Sequence, residues 1–345
     1  MVQPNAGVHA FASDGDYRVN GAQISASAHV GADIVLSVQP PGPFIAAELK
    51  PGAITVSMLA TANQQLPLVR TLQAKGITTF SLDLVPRTSR AQPMDALSSQ
   101  AMVSGYRAVM VAAERLERFF PLLMTAAGTV RPATVVVLGA GVAGLQAIAT
   151  AHRLGAVVEA YDVREAAAEE VRSMGAEFIQ LDLPALEGQG GYAREMGDDR
   201  ARRQRELLTP YVAKADALIT TAAVPGKAAP MLVTTEMVQQ MKSGSVVVDL
   251  AADSGGNVQG SRPGDEVVEN EVLIWGGRNV PSQLPEPASR LYAQNIVNLL
   301  NLMSDRENPG TLRIDFDDDI VDSCCITHEG KLRTEVAGDL LGEVE

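Results

Sequence analysis

The stretch Val137-Leu138-Gly139-Ala140-Gly141-Val142-Ala143-Gly144-Leu145 decides how the rest of the chain is read. It continues the β-branched run Thr134-Val135-Val136 and leads into residues that read as an apolar helix to about residue 154. In such a GxGxxG pattern Gly139 permits the tight turn at the strand end. Gly141 lets the backbone approach a pyrophosphate, and Gly144 lets the helix pack closely on the strand. The helix N-terminus at Val142 then offers free N–H groups and a partial positive charge to phosphate. Asp162 follows 23 residues after Gly139, at the end of the next expected strand. Its carboxylate suits both ribose hydroxyls of an adenosine and repels a 2′-phosphate, which favours NAD(H) over NADP(H). Arg164, two positions on, suits a phosphate but would act against the nearer Asp162.

The same region poses a membrane question, because Ala133 to Ala151 is nineteen residues without a charge in a chain that is 46% hydrophobic. Length alone would permit a spanning helix. Three glycines within six positions, the β-branched opening and the polar exit His152-Arg153 read instead as strand, turn and buried helix. The N-terminus has neither the basic-then-apolar layout of a signal peptide nor a transit-peptide composition. With 345 residues the chain is long enough for two domains at ~150 residues each. Lys plus Arg number 28 against 41 Asp plus Glu, a net charge of −13, which argues against a nucleic-acid partner. The two cysteines, Cys324 and Cys325, are adjacent, cannot staple distant segments, and read as free thiols of a reducing, cytoplasmic compartment.

Outward from the glycine stretch, residues 1–30 read as irregular. Strands are expected at 34–38, 54–59 and 77–84 around a helix at 64–74, then a mostly helical run over 94–124 weakened by Gly105. The second α/β region alternates strand 134–139, helix 142–154, strand 157–163, helix 165–174 and strand 177–181. It continues with helix 198–214, strand 217–224, helix 234–241 and strands 245–251 and 272–276, a doubly wound order. A helix over 287–303 leads out, and 312–316 with 321–327 read as a hairpin.

Reduction of a carbonyl or imine needs a proton donor beside the hydride, usually a histidine. His9, His29, His152 and His328 all read as surface or snorkelling residues, and no cysteine spacing suggests a nucleophile or a metal site. Hydride passing between two nicotinamide rings needs no proton, only positioning.

At this point the chain resembles a known family, the NAD(H)-binding alpha subunit (domain I) of proton-translocating nicotinamide nucleotide transhydrogenase, a relative of alanine dehydrogenase. The resemblance rests on Pro86-Arg87-Thr88-Ser89-Arg90-Ala91-Gln92-Pro93-Met94-Asp95 with Ser98-Ser99-Gln100, Met124-Thr125-Ala126-Ala127-Gly128-Thr129 and Gly139 to Ala151. Gly190-Gly191-Tyr192-Ala193-Arg194-Glu195-Met196, Pro225-Gly226-Lys227 and Asn279-Val280-Pro281-Ser282 complete it, in the family's order. It implies that Arg87, Gln92, Asp95 and Ser98 surround the nicotinamide and its ribose, against a plainer reading as helix cap and surface ion pairs. It also implies that Asp162, Val163 and Arg164 meet the adenosine, that Gly191 and Tyr192 lie in a loop closing over the nucleotide, and that Gln204 and Ala223 line the cleft. Where alanine dehydrogenase has a Lys and a His for the amino acid, the matching positions here are Gln39 and Met58, whereas Asp253 matches one of its acidic residues. The family's first strand and helix, with the strand after them, have no counterpart before Val2, so a shortened first domain is expected.

The expected fold is α/β: a Rossmann NAD-binding domain at 125–282, and a discontinuous, flavodoxin-like domain from 1–93 and 304–345. Linking helices at 94–124 and 283–303 join the two. The resemblance implies a homodimer that carries NAD(H) and transfers hydride from NADH to NADP⁺ on a partner subunit that binds NADP(H). It also implies membrane-embedded and NADP-binding transhydrogenase subunits that hold the chain at the inner face of a bacterial cytoplasmic membrane. The alternatives are an alanine dehydrogenase-like enzyme and a non-catalytic NAD-sensing subunit.

Overall fold

A computed structural model describes the chain apart from residues 60–64, 184–196, 224–227, 306, 309 and 334–345. The fold is α/β, in two compact units, Met1–Gln100 with Pro285–Glu345 and Ala101–Leu284.

The first unit begins with a capping box. Ser13 Oγ accepts from the Asp16 N–H at 3.2 Å while the Asp16 carboxylate accepts from the Ser13 N–H at 2.7 Å, starting helix α1 (Asp14–Val19). The opening stretch, expected to be irregular, therefore holds a short capped helix, nucleated by two acids and a serine rather than by an apolar stripe. Then β1 (Ile34–Leu36), α2 (Pro43–Glu48), β2 (Ile54–Ser57), α3 (Leu66–Ala74) and β3 (Thr78–Ser81) alternate. The three strands are parallel, with Ile34 opposite Ile54 and Ile54 opposite Thr78. The third strand stops at Ser81 instead of running to 84. The Ser81 hydroxyl accepts from the Leu59 N–H at 2.9 Å and donates to Asp83, and the local bonding turns Leu82–Leu84 into a 3-10 helix.

Helix α4 (Ala96–Arg115) follows, ending well short of 124. Pro121 has no N–H and excludes helical backbone at Phe120, and the segment instead forms a hairpin of β4 (Leu123–Thr125) and β5 (Gly128–Val130). Gly105, which reads as a weak point of this helix, has a packing reason: a Cβ there would stand 2.1 Å from the Ala143 carbonyl oxygen.

The second unit continues through β6 (Thr134–Leu138), α5 (Val142–Arg153), β7 (Val157–Tyr161), α6 (Ala167–Ser173) and β8 (Glu177–Phe178). It is completed by α7 (Asp198–Lys214), β9 (Ala217–Thr220), α8 (Thr235–Val238), β10 (Val246–Asp249), β11 (Glu266–Glu269) and β12 (Val272–Gly276). Its sheet runs β11-β12-β10-β9-β6-β7-β8. Leaving aside the antiparallel edge strand β11, which no sequence pattern announces, this is the 3-2-1-4-5-6 order of a dinucleotide fold. Val135 and Val137 enter one apolar layer, Val136 and Leu138 the other, and all four are fully buried. Burial on both faces explains why the strand reads as an unbroken apolar run, and each side chain contributes ~1.5–3 kcal/mol relative to exposure. At the opposite end of these strands Asp216 accepts from Arg118, Lys242 and the Thr134 N–H, each at 2.9 Å, pinning the starts of β6 and β9.

The chain returns to the first unit through α9 (Pro285–Met303), α10 (Asp319–Cys324), β13 (Cys325–His328) and β14 (Lys331–Leu332). The hairpin expected from 312–316 and 321–327 does not form. Asp318 Oδ1 accepts from the Ile320 N–H at 2.9 Å and caps α10, so the acidic turn starts a helix. The hairpin lies one step later, between β13 and β14, through Glu329 and Gly330 at φ 47° and 79°. β13 adds antiparallel to β3, with Cys325 opposite Phe80. Among the described residues no helix is long and apolar enough to cross a membrane.

Both cysteines are buried, and burial raises their thiols, Cys325 from 9.0 to about 12 and Cys324 further. Neither should react with a thiol reagent at pH 8 until denaturant is added, when both should label. Because the folded thiols hold their protons above the unfolded value, stability should fall as pH rises beyond 9, readable as a falling melting temperature.

Candidate functional site

In the second unit the glycine turn is tight because backbone passes backbone. Gly139 takes φ +103° and donates its N–H to the Tyr161 carbonyl at 2.8 Å, and its own carbonyl accepts from Thr221 Oγ1 at 3.0 Å. A Cβ on Gly144 would lie 1.8 Å from the Gly139 oxygen, so only glycine lets α5 begin there. A Cβ on Gly141 would meet nothing within 4 Å. Gly141 is thus the open side of the turn, beside the first turn of α5 at Val142.

Asp162 stands against this turn. Its Oδ2 accepts from the Ala140 N–H at 2.8 Å and its Oδ1 from the Arg164 N–H at 2.9 Å. The Arg164 guanidinium adds contacts at 2.9 and 3.1 Å to the two oxygens, and reaches the Ala140 carbonyl at 3.1 Å. Sequence reasoning sets these two side chains in opposition; the structure pairs them and fixes both to the turn. The pairing raises the Arg164 pKa further above its ordinary value. Val163 packs against an apolar layer. Tyr161, its pKa lifted by burial to about 12, lines an open cleft with Asp162, Leu181 and Arg200.

Gln204, on α7, is 1% exposed, and its Oε1 has no hydrogen-bond partner among the described residues. Such an orphan normally awaits a donor. Ala223 is exposed just beyond β9. Gly191 and Tyr192 lie outside the described residues. Asp253 is held by the chain itself, its Oδ2 accepting from the Asn279 N–H at 2.7 Å. Sequence reasoning passes over Asp249 and Asn257, both fully buried. The available signal is an Asp closing an apolar strand and an Asn directly after two glycines.

In the first unit Asp95 caps α4, accepting from the Ser98 N–H at 2.8 Å and the Ser98 hydroxyl at 2.6 Å. Arg87 and Gln92 are exposed on the same loop. The loop is anchored at two residues, Arg90 and Pro93. Arg90 forks onto Asp318 at 2.6 and 2.8 Å and also meets Asp319, and the Pro93 carbonyl accepts from Asn295 and Asn298, each at 2.8 Å. Asn295 and Asn298 escape a reading of the sequence, since helix α9 reads only as a connector. Gln39 is exposed and Met58 packs, half-buried, on an apolar cluster. One histidine departs from expectation: His29 is 7% exposed, because Glu48 supplies a partner at 2.7 Å that lets the ring be buried. His328 meets Thr78 Oγ1 at 3.0 Å, while His9 and His152 are exposed.

Two family descriptions match nearly end to end: alanine dehydrogenase/PNT, N-terminal domain, over residues 1–104, and alanine dehydrogenase/PNT, C-terminal domain, over residues 108–335. An NAD(P) transhydrogenase subunit alpha chain of Rhodospirillum rubrum is 45% identical over 96% of this chain and 89% of its own length. The crystal structure of transhydrogenase from Sinorhizobium meliloti superposes with a TM-score of 0.86 at 40% identity, over 96% of this chain and 90% of the other. Alanine dehydrogenase of Mycobacterium tuberculosis is 30% identical over 99% of this chain and 88% of its own length.

Replacing Asp162 with Ala removes the acceptor that orders both the Ala140 N–H and Arg164. Equilibrium dialysis should then show weaker NADH binding, by about tenfold for one lost charged hydrogen bond, and a smaller preference for NADH over NADPH as Arg164 is released. An unchanged preference would remove Asp162 from the adenosine end.

Proposed function

This chain belongs to the alanine dehydrogenase/PNT family, and from that premise we propose that it is the NAD(H)-binding subunit of a proton-translocating NAD(P) transhydrogenase, passing hydride from NADH to NADP⁺ held on a partner subunit. The residues fit such a dinucleotide. The Gly139–Gly144 turn leaves Gly141 open for a pyrophosphate, Asp162 is fixed beside it, and Gln204 Oε1, buried, has no partner among the described residues. When bound, NADH supplies the hydride. In this reading Arg87, Gln92, Asp95 and Ser98 hold the nicotinamide and ribose, with Asp95 and Ser98 oriented in advance by their mutual hydrogen bonds.

The observation that carries the choice of reaction is chemical. At the positions where alanine dehydrogenase uses ionisable groups stand an exposed Gln39 and a Met58 seated on apolar side chains. Neither can move a proton, so amino-acid chemistry lacks that pair, which Asp253 alone does not replace, while ring-to-ring hydride transfer requires no acid or base. The 45% identity to a transhydrogenase subunit supports the same choice. The chain would work at the inner face of a bacterial cytoplasmic membrane through membrane-embedded partner subunits. Phe119, Leu122, Met124 and Val130 are exposed large apolar side chains in and just before one hairpin, apolar surface that supports assembly as a homodimer.

Mixing the chain with an NADP-binding transhydrogenase subunit, NADH and an oxidised NADP analogue should give direct hydride exchange, whereas L-alanine with NAD⁺ should give no NADH. Tight NADH binding without exchange would overturn the transfer reading in favour of a sensor. Met124→Asp, which places a charge on the apolar hairpin, should shift the sedimenting mass from two chains toward one; an unaltered protein that sediments as one chain throughout would sink the dimer.

A further inference from the structure

The carboxylate of Asp249, at the C-terminal end of β10, is fully buried, and among the described residues no cation lies within ion-pair distance. A charge so placed must be held by hydrogen bonds. Asp249 Oδ1 accepts from Thr220 Oγ1 and the Ala251 N–H, both at 3.0 Å. The Asn257 N–H lies 3.3 Å from Oδ1 and 3.1 Å from Oδ2, and the Val258 N–H donates to Oδ2 at 3.3 Å. One side chain thereby gathers the end of β9 and both ends of the loop that follows β10. Gly256, at φ +81°, makes this possible, since a Cβ there would stand 2.9 Å from Asp249 Oδ2.

The knot has an output. Asn257, also fully buried, turns its amide onto the backbone of Ala222: Nδ2 donates to the Ala222 carbonyl at 2.8 Å and Oδ1 accepts from the Ala222 N–H at 3.0 Å. A further bond from Nδ2 reaches the Pro230 carbonyl at 2.8 Å. Both amide hydrogens and the amide oxygen are engaged, so Ala222 is held as a strand neighbour would hold it. Ala222 in turn meets the glycine turn, its nitrogen lying 3.1 Å from where a Cβ of Gly139 would be, next to the Thr221 hydroxyl that donates to Gly139.

We propose that Asp249 and Asn257 are positioning residues for dinucleotide binding: through Ala222 they set the segment Thr221–Ala223 against the Gly139 turn, so that affinity for the adenosine diphosphate half depends on a pair of buried side chains behind the site. This rests on the nucleotide reading proposed above. It assigns a task to a buried anion and a buried amide that a purely structural account leaves as costs, because well-packed apolar residues would fill the same space more cheaply.

The test compares the full chain with Asn257→Ala, which removes both bonds to Ala222, and with Thr220→Val, which keeps shape but removes one donor to Asp249. NADH and ADP-ribose binding are measured by equilibrium dialysis at a temperature where circular dichroism shows each protein folded. Asn257→Ala should weaken both ligands by the same factor, about tenfold or more for two lost hydrogen bonds, and Thr220→Val by less. Loss of stability alone would lower the melting temperature and leave both dissociation constants where they were. Dissociation constants within twofold of the unaltered chain for a folded Asn257→Ala would overturn the positioning role. If Asn257→Ala does not fold, Thr220→Val decides by the same criterion. Failure of the unaltered chain to bind NADH would instead overturn the nucleotide reading on which the role depends.

Discussion

The second unit is organised by a contact too close for a side chain. With the Gly144 Cβ position 1.8 Å from the Gly139 oxygen, strand β6 and helix α5 can be joined by so short a turn only if glycine occupies both places. That turn aims the first amides of α5 outward past Gly141. It also brings Ala140 within reach of Asp162 and seats Thr221 on the Gly139 carbonyl. Three strand ends, those of β6, β7 and β9, are therefore indexed to one turn. The strand order reverses between β6 and β9, which is where an open α/β sheet leaves its crevice.

Much of this could be read from the residues, because the turn's chemistry is local. Glycine spacing, the β-branched run before it and an acid one strand later all act within about thirty residues, so pattern and structure agree on β6, α5, β7 and the position of Asp162 directly after β7. Where reading failed, a partner distant in sequence or a competing local bond decided. The acidic stretch between 316 and 321 reads as a hairpin turn but becomes a helix start, since Asp318 finds the Ile320 N–H. The helix after Asp95 stops at Arg115, because Pro121 lies ahead and Arg118 is drawn to Asp216 across 98 positions. His29 is buried by Glu48, a pairing no periodicity announces. Asp249 and Asn257 escape a reading of the sequence for the same reason. Their meaning lies in what they touch, and their partners come from β9 and the segment after it.

The two units solve the problem of holding polar groups in different ways. In the first, the loop from Arg87 to Asp95 lies at the surface and is fastened by charge-assisted and amide bonds, Arg90 to Asp318 and two asparagines to Pro93. In the second, the fastening is internal, with Asp249 and Asn257 excluded from water and held by a connected set of hydrogen bonds. The hydride transfer proposed for this chain needs no acid or base, and such fastening is what positioning for it would draw on.

The sheet of the first unit is finished by residues from the far side of the sequence: Thr327 Oγ1 donates to the Ile77 carbonyl across 250 positions, and β13 covers the edge of β3. A chain made from its N-terminus exposes that edge of β3 during the synthesis of the entire second unit. The second unit is continuous in sequence, and all the strands of its sheet lie within its own span, so its loops close over shorter spans than the one that brings β13 to β3. The threading thus imposes a schedule on folding, in which the inserted unit matures first and the unit that began the chain is the last to seal its sheet.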